Sequence, residues 1–430
     1  MMGNFNDKLI KLFLFSTIIG VAVSYSKVYL FHVVLVFIMI YALFIIFRRD
    51  ASFNINLLQI KELLIWLFIF LFSLGSIFWS LDQRIAIQNI FYLFCGISIL
   101  IITVTYISSY GRLFQVIPII GISFFLNMFF GLLETVSPFR LPISPYSNYL
   151  DFFGREGTKM FLYNEEVKKY VTSMPTGFNW NPNDFSVAMI IFLPFLLFSK
   201  NKLISITGSL TIFYLIIQAG SRTNFIAFII VVSLFLFLKY RKVFLGSIII
   251  LILTLTLIGG FSSLEIENKK IGEALGSFQD LKSLLSTKQE GDDSIGVRQK
   301  LMIAGIQSVK ETKGFGVGIG NSIYIANLYN IKDTPYSLHN FWLQILVEIG
   351  LIGFIVIMIW YIWMIVKLYL NARNERDDKI KSFTLATCLA MIGFFIGSIS
   401  MGGAIYFLTM WLLFGMAISL INLYKLNEGR

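Results

Sequence analysis

Long apolar runs separated by short charged turns recur along the 430-residue chain. Most can cross about 30 Å of hydrocarbon, which takes roughly 20 residues of helix at about 1.5 Å each. The pattern predicts about twelve membrane helices, over 9–24, 28–47, 63–79, 86–106, 113–135, 184–199, 202–219, 222–238, 243–261, 341–369, 383–399 and 403–424. Two stretches, 136–183 and 262–340, interrupt the rhythm with polar, varied sequence. The expectation is an all-α, polytopic integral membrane protein: one transmembrane domain over 1–430 with two long extracytoplasmic loops. The first run carries Lys8 and Lys11 at its start and no small-residue cleavage site before the next run. That combination predicts a retained helix, not a removed signal peptide.

Composition agrees, with 57% hydrophobic and 14% charged residues and a mean hydropathy of +0.78, outside the range of soluble domains. Charge then sets the orientation. With a cytoplasmic N-terminus the inner loops hold eighteen lysines and arginines, whereas the short outer loops hold only Lys27, Arg84 and Arg222. This asymmetry is the one the positive-inside rule requires, and it places both termini in the cytoplasm and both long loops outside. The net charge of +11 is accounted for by loops facing anionic lipid and calls for no nucleic acid. Cys95 and Cys388 lie in separate spans, so neither a disulfide framework nor a zinc site is suggested.

Candidate chemistry gathers on the outer side. In "AGSRTNF" a very short turn puts Arg222 at the start of a helix. Such an arginine either snorkels to lipid phosphates or holds an anion at a helix N-terminus. Arg298 stands in the second long loop beside Lys300, Lys310 and Lys313, where a solvated face is the plain alternative. His339 is one of two histidines; His32, inside the second span, is taken as structural. If 339–353 is helical, Gly350 and Gly353 share the face of His339 and permit close packing below it, while Glu348 points away.

Around these, "SIGVRQKLMIAGIQSVKETKGFGVGIGNS" predicts a surface-lying or capping helix on Leu301, Ile306 and Val309, then a loop. Its alternating glycines lack the Lys-Ser/Thr of a nucleotide loop and point to a close backbone approach. "GDDS" at 291–294 has no metal-binding company. In "PTGFNWNPNDF", Asn181 and Pro182 read as the cap and first residue of the sixth span.

"HNFWLQILVEIG", preceded by "GFGVGIGNS" and taken with "GSRTNF" and "PTGFNWNPNDF", resembles the O-antigen ligase and polymerase family of bacterial surface-polysaccharide enzymes. The resemblance extends to about twelve spans, cytoplasmic termini and a large outer loop before the histidine helix. It implies a glycosyltransferase of the cytoplasmic membrane acting on undecaprenyl-diphosphate-linked oligosaccharide, with a glycan acceptor and no cofactor or metal. A flippase and a chain-length regulator are its further implied partners. Carried onto this chain, the catalytic residues are His339, Arg222 and Arg298, with Asn340, Asn183 and Asp184 as candidates for binding substrate. Ile226 stands where the family's arginine element often has leucine. Two arginines would stabilise a departing diphosphate, and neutral His339 would take the acceptor proton. A twelve-span carrier or flippase of the same lipid-linked oligosaccharide is the alternative.

Overall fold

The computed structural model of the protein describes residues 2–47, 61–156, 171–242, 294–331, 336–403 and 405–428. Over these residues it is helical, with one small antiparallel ribbon, β1 (Ser24–Tyr25) and β2 (Val28–Tyr29). The helices are α1 (Met2–Ile19), α2 (Leu30–Phe47), α3 (Leu64–Gly75), α4 (Gln83–Tyr106), α5 (Tyr110–Val136), α6 (Pro182–Leu197), α7 (Lys202–Gln218) and α8 (Arg222–Lys239). Within the second long stretch lie α9 (Ser294–Glu311) and α10 (Ile325–Leu328), and after it α11 (Phe341–Asn374), α12 (Asp378–Gly397) and α13 (Leu408–Glu428).

Against the twelve expected spans, the described residues contain seven helices long and apolar enough to cross a membrane. Three more, within α2, α6 and α7, are apolar but shorter. The expected span at 243–261 lies outside the described residues, as do most of "GDDS" and the start of the second loop. The chain is a multi-pass membrane protein.

Polar caps set the helix starts. Asn181 accepts from the Asp184 N–H at 2.8 Å with Pro182 at the first position, as the sequence suggested, and Asp82 and Asp377 cap α4 and α12 in the same way. Basic ends meet at one end of the bundle: Asp7 pairs with Lys11 at 2.5 Å and with Arg112, Lys425 pairs with Glu62 at 2.5 Å, and Lys379 lies 3.9 Å over the Phe114 ring. Between the two ends the core is aromatic. Trp66 meets Trp360 and Trp411 edge-on at 5.2 and 4.6 Å. His32 is structural, accepting the Tyr29 N–H at 3.0 Å and stacking on that ring.

α11 departs from the expected straight helix. Its first residue is Phe341, with Asn340 as cap, and at Gly350 the backbone turns to φ 77°, ψ −177°. His339 precedes the helix, so the shared face drawn from His339 to Gly350 does not exist. Gly350 breaks the rod instead of packing beneath the imidazole. The glycine loop fills the break: Val317 N–H donates to the Val347 carbonyl and Leu351 N–H to the Gly314 carbonyl, both at 2.8 Å. Gly316, at φ 79°, comes so close that a Cβ on it would lie 2.7 Å from the Val347 carbonyl oxygen. The alternating glycines thus serve the close backbone approach read from the sequence.

Glu348, fully buried, locks the same joint, accepting from Ser322 Oγ at 2.5 Å and Gln344 Nε2 at 2.8 Å. The two halves of α11 also differ in surroundings. Nearly every residue before the break is buried, whereas Leu351, Ile352, Ile355, Ile359 and Ile362 are exposed. The lipid-facing part therefore starts at Leu351, and its 24 residues to Asn374 span about 36 Å, enough for the membrane.

A buried clasp holds the first long loop. Glu134, at the end of α5, accepts the N–H groups of Thr176 and Gly177 at 2.6 and 2.9 Å and pairs with Arg140 at 3.1 Å. Arg140 in turn donates to the carbonyls of Met174 and Thr172, and Asn127 takes the Phe178 N–H at 2.8 Å. These bonds deliver the chain to Trp180 and the start of α6.

Candidate active site

Each member of the predicted trio is carried by a different element. α9 packs Leu301, Ala304 and Gly305 inward, with Gly305 against Leu343 and Val347 of α11. Contrary to the expected stripe, Ile306 is exposed, together with Met302 and Ile303. This packing sets Arg298, one turn before Leu301, beside the entry to α11. Arg222 opens α8, whose start is tied to two neighbours. Ser221 Oγ donates to Asn183 Oδ1 at 2.9 Å, and Asn224 Nδ2 reaches Ser221 Oγ at 2.8 Å and Ser400 Oγ at 3.0 Å.

His339 sits in a left-handed backbone conformation, φ 48°. That is uncommon for a residue with a side chain and is found where surrounding structure enforces it. Here the enforcement is local: Ser337 Oγ accepts the His339 N–H at 3.2 Å and donates to the Gly402 carbonyl. Asn340 then starts α11 by accepting from the N–H groups of Trp342 and Leu343 at 3.1 and 3.2 Å. The Tyr336 ring meets the imidazole edge-on at 5.3 Å. On another side lies Gly402, where a Cβ would come 3.3 Å from Nδ1. Nδ1 itself is buried and has no hydrogen-bond partner among the described residues.

The three side chains share one electrostatic neighbourhood. Burial, and then the Arg298 charge, depress the His339 pKa to about 4. Crowding by protein atoms likewise lowers that of Arg298; Tyr336 opposes this and the like charge of Arg222 adds to it. Arg298 is itself exposed, so a doubly charged anion can reach its guanidinium, with the Arg222 charge and the neutral imidazole acting nearby.

This gives a direct test, because the chain has only two histidines. With His32 replaced, the single labelled imidazole in nanodiscs should titrate near pH 4 by NMR. Arg298→Gln removes a charge that opposes protonation, so the midpoint should rise. A midpoint near the ordinary value of about 6.5 that ignores Arg298→Gln would refute the cluster. The sign for stability follows. Between about pH 6.5 and 4 the unfolded chain binds a proton that the folded chain refuses, so this group's share of stability falls as pH drops through that window.

The substrate-binding candidates divide. Asn340 Oδ1 is committed to capping α11. Asn183 is joined to the trio through Ser221 beside Arg222. Asp184 lies on the wall of a cavity of about 610 Å³ that also touches Gln344 and Gly402. Gly402 thus has the imidazole on one side and the cavity on another. Glu348, set aside as a catalytic partner on its helical face, is bound to Gln344 and Ser322.

Sequence reasoning missed the cavity's other wall. Arg155 lies over Trp180 at 4.7 Å and Tyr29 at 5.4 Å, with Nε donating to the Ser26 carbonyl at 2.8 Å. Trp180 stood inside a quoted motif, but an isolated loop arginine has no periodicity to betray it.

Residues 207–358 match the family described as O-antigen ligase. That stretch runs from α7 into the lipid-facing half of α11 and includes Arg222, Arg298 and His339. The chain is also similar to the Teichuronic acid biosynthesis protein TuaE of Bacillus subtilis (strain 168), 24% identical over 388 residues. The similarity covers 86% of this chain and 73% of that relative.

Proposed function

We propose that this chain, whose residues 207–358 match the family described as O-antigen ligase, polymerises lipid-diphosphate-linked glycan repeats for a cell-surface polysaccharide. The reaction takes place at the outer face of the cytoplasmic membrane, with both termini inside. The observation that carries this reading is the convergence of three elements: Asn224 at the start of α8 bonds Ser400, Gly402 two residues on backs the His339 imidazole, and α9, which bears Arg298, packs Gly305 on Leu343 and Val347 of α11. Similarity to a teichuronic acid biosynthesis protein supports polymer synthesis over ligation to a lipid core.

In the proposed step an acceptor sugar hydroxyl attacks the anomeric carbon of a lipid-linked glycan. A glycosidic C–O bond forms as the bond from that carbon to the phosphate oxygen breaks. The electron pair leaves with the lipid diphosphate, held by Arg222 and Arg298, whose forks suit phosphate oxygens and stay charged. His339 takes the hydroxyl proton. A bound diphosphate offsets the Arg298 charge, so the imidazole becomes a stronger base when the donor is in place. Attack opposite the leaving group inverts the anomeric configuration.

The carrier alternative draws on the broken helix and on Glu348, features that transporters place at the midplane. Here backbone from the glycine loop fills the break, which stands where the lipid-facing surface begins. Purified protein in proteoliposomes with a lipid-diphosphate oligosaccharide should form polymer without nucleotide and in the presence of EDTA. Movement of intact lipid-linked substrate without new glycosidic bonds would favour the carrier, and a need for divalent metal would remove the two-arginine role.

A further inference from the structure

We propose that the cavity beside Gly402 is a sugar subsite that holds one pyranose ring of the glycan, with Trp180 as its aromatic wall and Asp184 and Asn179 as its polar contacts. The proposal rests on the glycosyl-transfer reading and specifies where the sugar lies. A volume of about 610 Å³ falls in the range of small-molecule sites, about 300–1,000 Å³.

The polar atoms on this wall are mismatched without a ligand. Asp184 is 3% exposed. Its Oδ2 takes Asn181 Nδ2 at 2.7 Å, while Oδ1 is buried with no partner among the described residues. Asn179, from the same wall, has a buried Nδ2 with no partner among the described residues. A buried acceptor and a buried donor left open are costly. A sugar hydroxyl both donates and accepts, so one ring can satisfy the two.

The remaining surface suits such a ring. Trp180, Tyr29, Tyr92 and Tyr406 line the cavity between the amides of Gln88 and Asn89, giving apolar faces for the C–H side of a pyranose and polar groups for its rim. Tyr406 keeps 39% of its surface accessible, and as a wall residue it offers area to an occupant. Trp180 is held in place by the Arg155 guanidinium, so its ring is oriented before any ligand arrives. A ring seated here adjoins the glycine that backs the His339 imidazole, which brings its hydroxyls toward the reacting end of the site.

The probe is the free repeat oligosaccharide, released by mild acid from the lipid-linked repeat that accumulates in cells lacking this chain. Saturation-transfer NMR with full-length protein in nanodiscs should show it binding. Trp180→Ala and Asp184→Asn should each weaken binding by about tenfold, as expected for losing a stacked face or a buried carboxyl partner. Trp180→Phe should largely restore it. His339→Gln should bind as wild type while failing to join repeats.

Unchanged binding in both Trp180→Ala and Asp184→Asn, or no binding by the folded wild type, would overturn the subsite. Binding by wild type without polymer formation would instead count against glycosyl transfer, so the two failures separate. Saturating lipid-linked repeat should displace the free oligosaccharide, since both present the same ring; an undiminished signal would place the free sugar elsewhere and overturn the subsite.

Discussion

Glutamine in place of His339 is expected to slow the joining of repeats by about 10²–10⁴-fold, the usual worth of a positioned general base, while the protein still inserts and folds. Glutamine keeps a polar side chain of similar reach but cannot take a proton at neutral pH. Because His339 occupies the left-handed region at φ 48°, His339→Asn is the better structural control, since asparagine tolerates that backbone well. Both variants should lose activity alike, and single-repeat lipid-linked glycan should accumulate in cells that carry them. Initial rates in proteoliposomes decide the matter: slowing of less than about tenfold would assign His339 to fold alone.

Gly350→Ala should strongly destabilise the joint between the glycine loop and α11. The Gly350 backbone, at φ 77° and ψ −177°, lies in a region open essentially to glycine alone, which costs about 1–3 kcal/mol for any other residue. A Cβ there would also sit 2.2 Å from the Gly314 carbonyl oxygen and 2.6 Å from the Phe315 carbonyl carbon. Both are backbone atoms and cannot rotate away. Relief requires the glycine loop to lift off α11, with loss of the Val317 and Leu351 hydrogen bonds and exposure of Glu348. A total of about 3 kcal/mol or more is expected from such combined defects. The readouts are a lowered thermal midpoint and new protease cleavage between Lys313 and Tyr324. Wild-type melting and an intact loop would show that the bend is not required.

Much of the scaffold was legible because hydropathy and charge act over whole segments. The intervals expected around α4, α5, α8 and α12 coincide with those helices to within a few residues, and Asn181 with Pro182 marks the start of α6 as read. Motif order put Arg222, Arg298 and His339 forward as a set; in the structure the Arg298 charge acts on His339 and the Arg222 charge on Arg298, and their catalytic roles belong to the proposal. Hydropathy could not show the break in α11, since the residues on both sides of Gly350 are apolar and only backbone dihedrals distinguish them. The start at Phe341 was nearer to hand: Asn340 is a good cap, and a capping reading would have excluded His339 from the helix. Arg155, Asn179 and the Glu134 clasp were out of reach, because Glu134 and Thr176 are 42 positions apart and only tertiary packing introduces them.

That clasp has a consequence for how such a chain could change its diet. Glu134 and Arg140 hold the first loop chiefly by main-chain N–H and carbonyl groups of residues 172–177, which nearly every amino acid supplies. Asn179, Trp180 and Asp184, just beyond, are presented by a mount that depends on the loop's own side chains chiefly at Thr176, whose hydroxyl also reaches Glu134, and at Gly177, where a Cβ would meet Asn127 at 2.3 Å. Mutations can therefore redraw the cavity wall for a new sugar without dismantling its support, and the trio at the other side of Gly402 need not change with it.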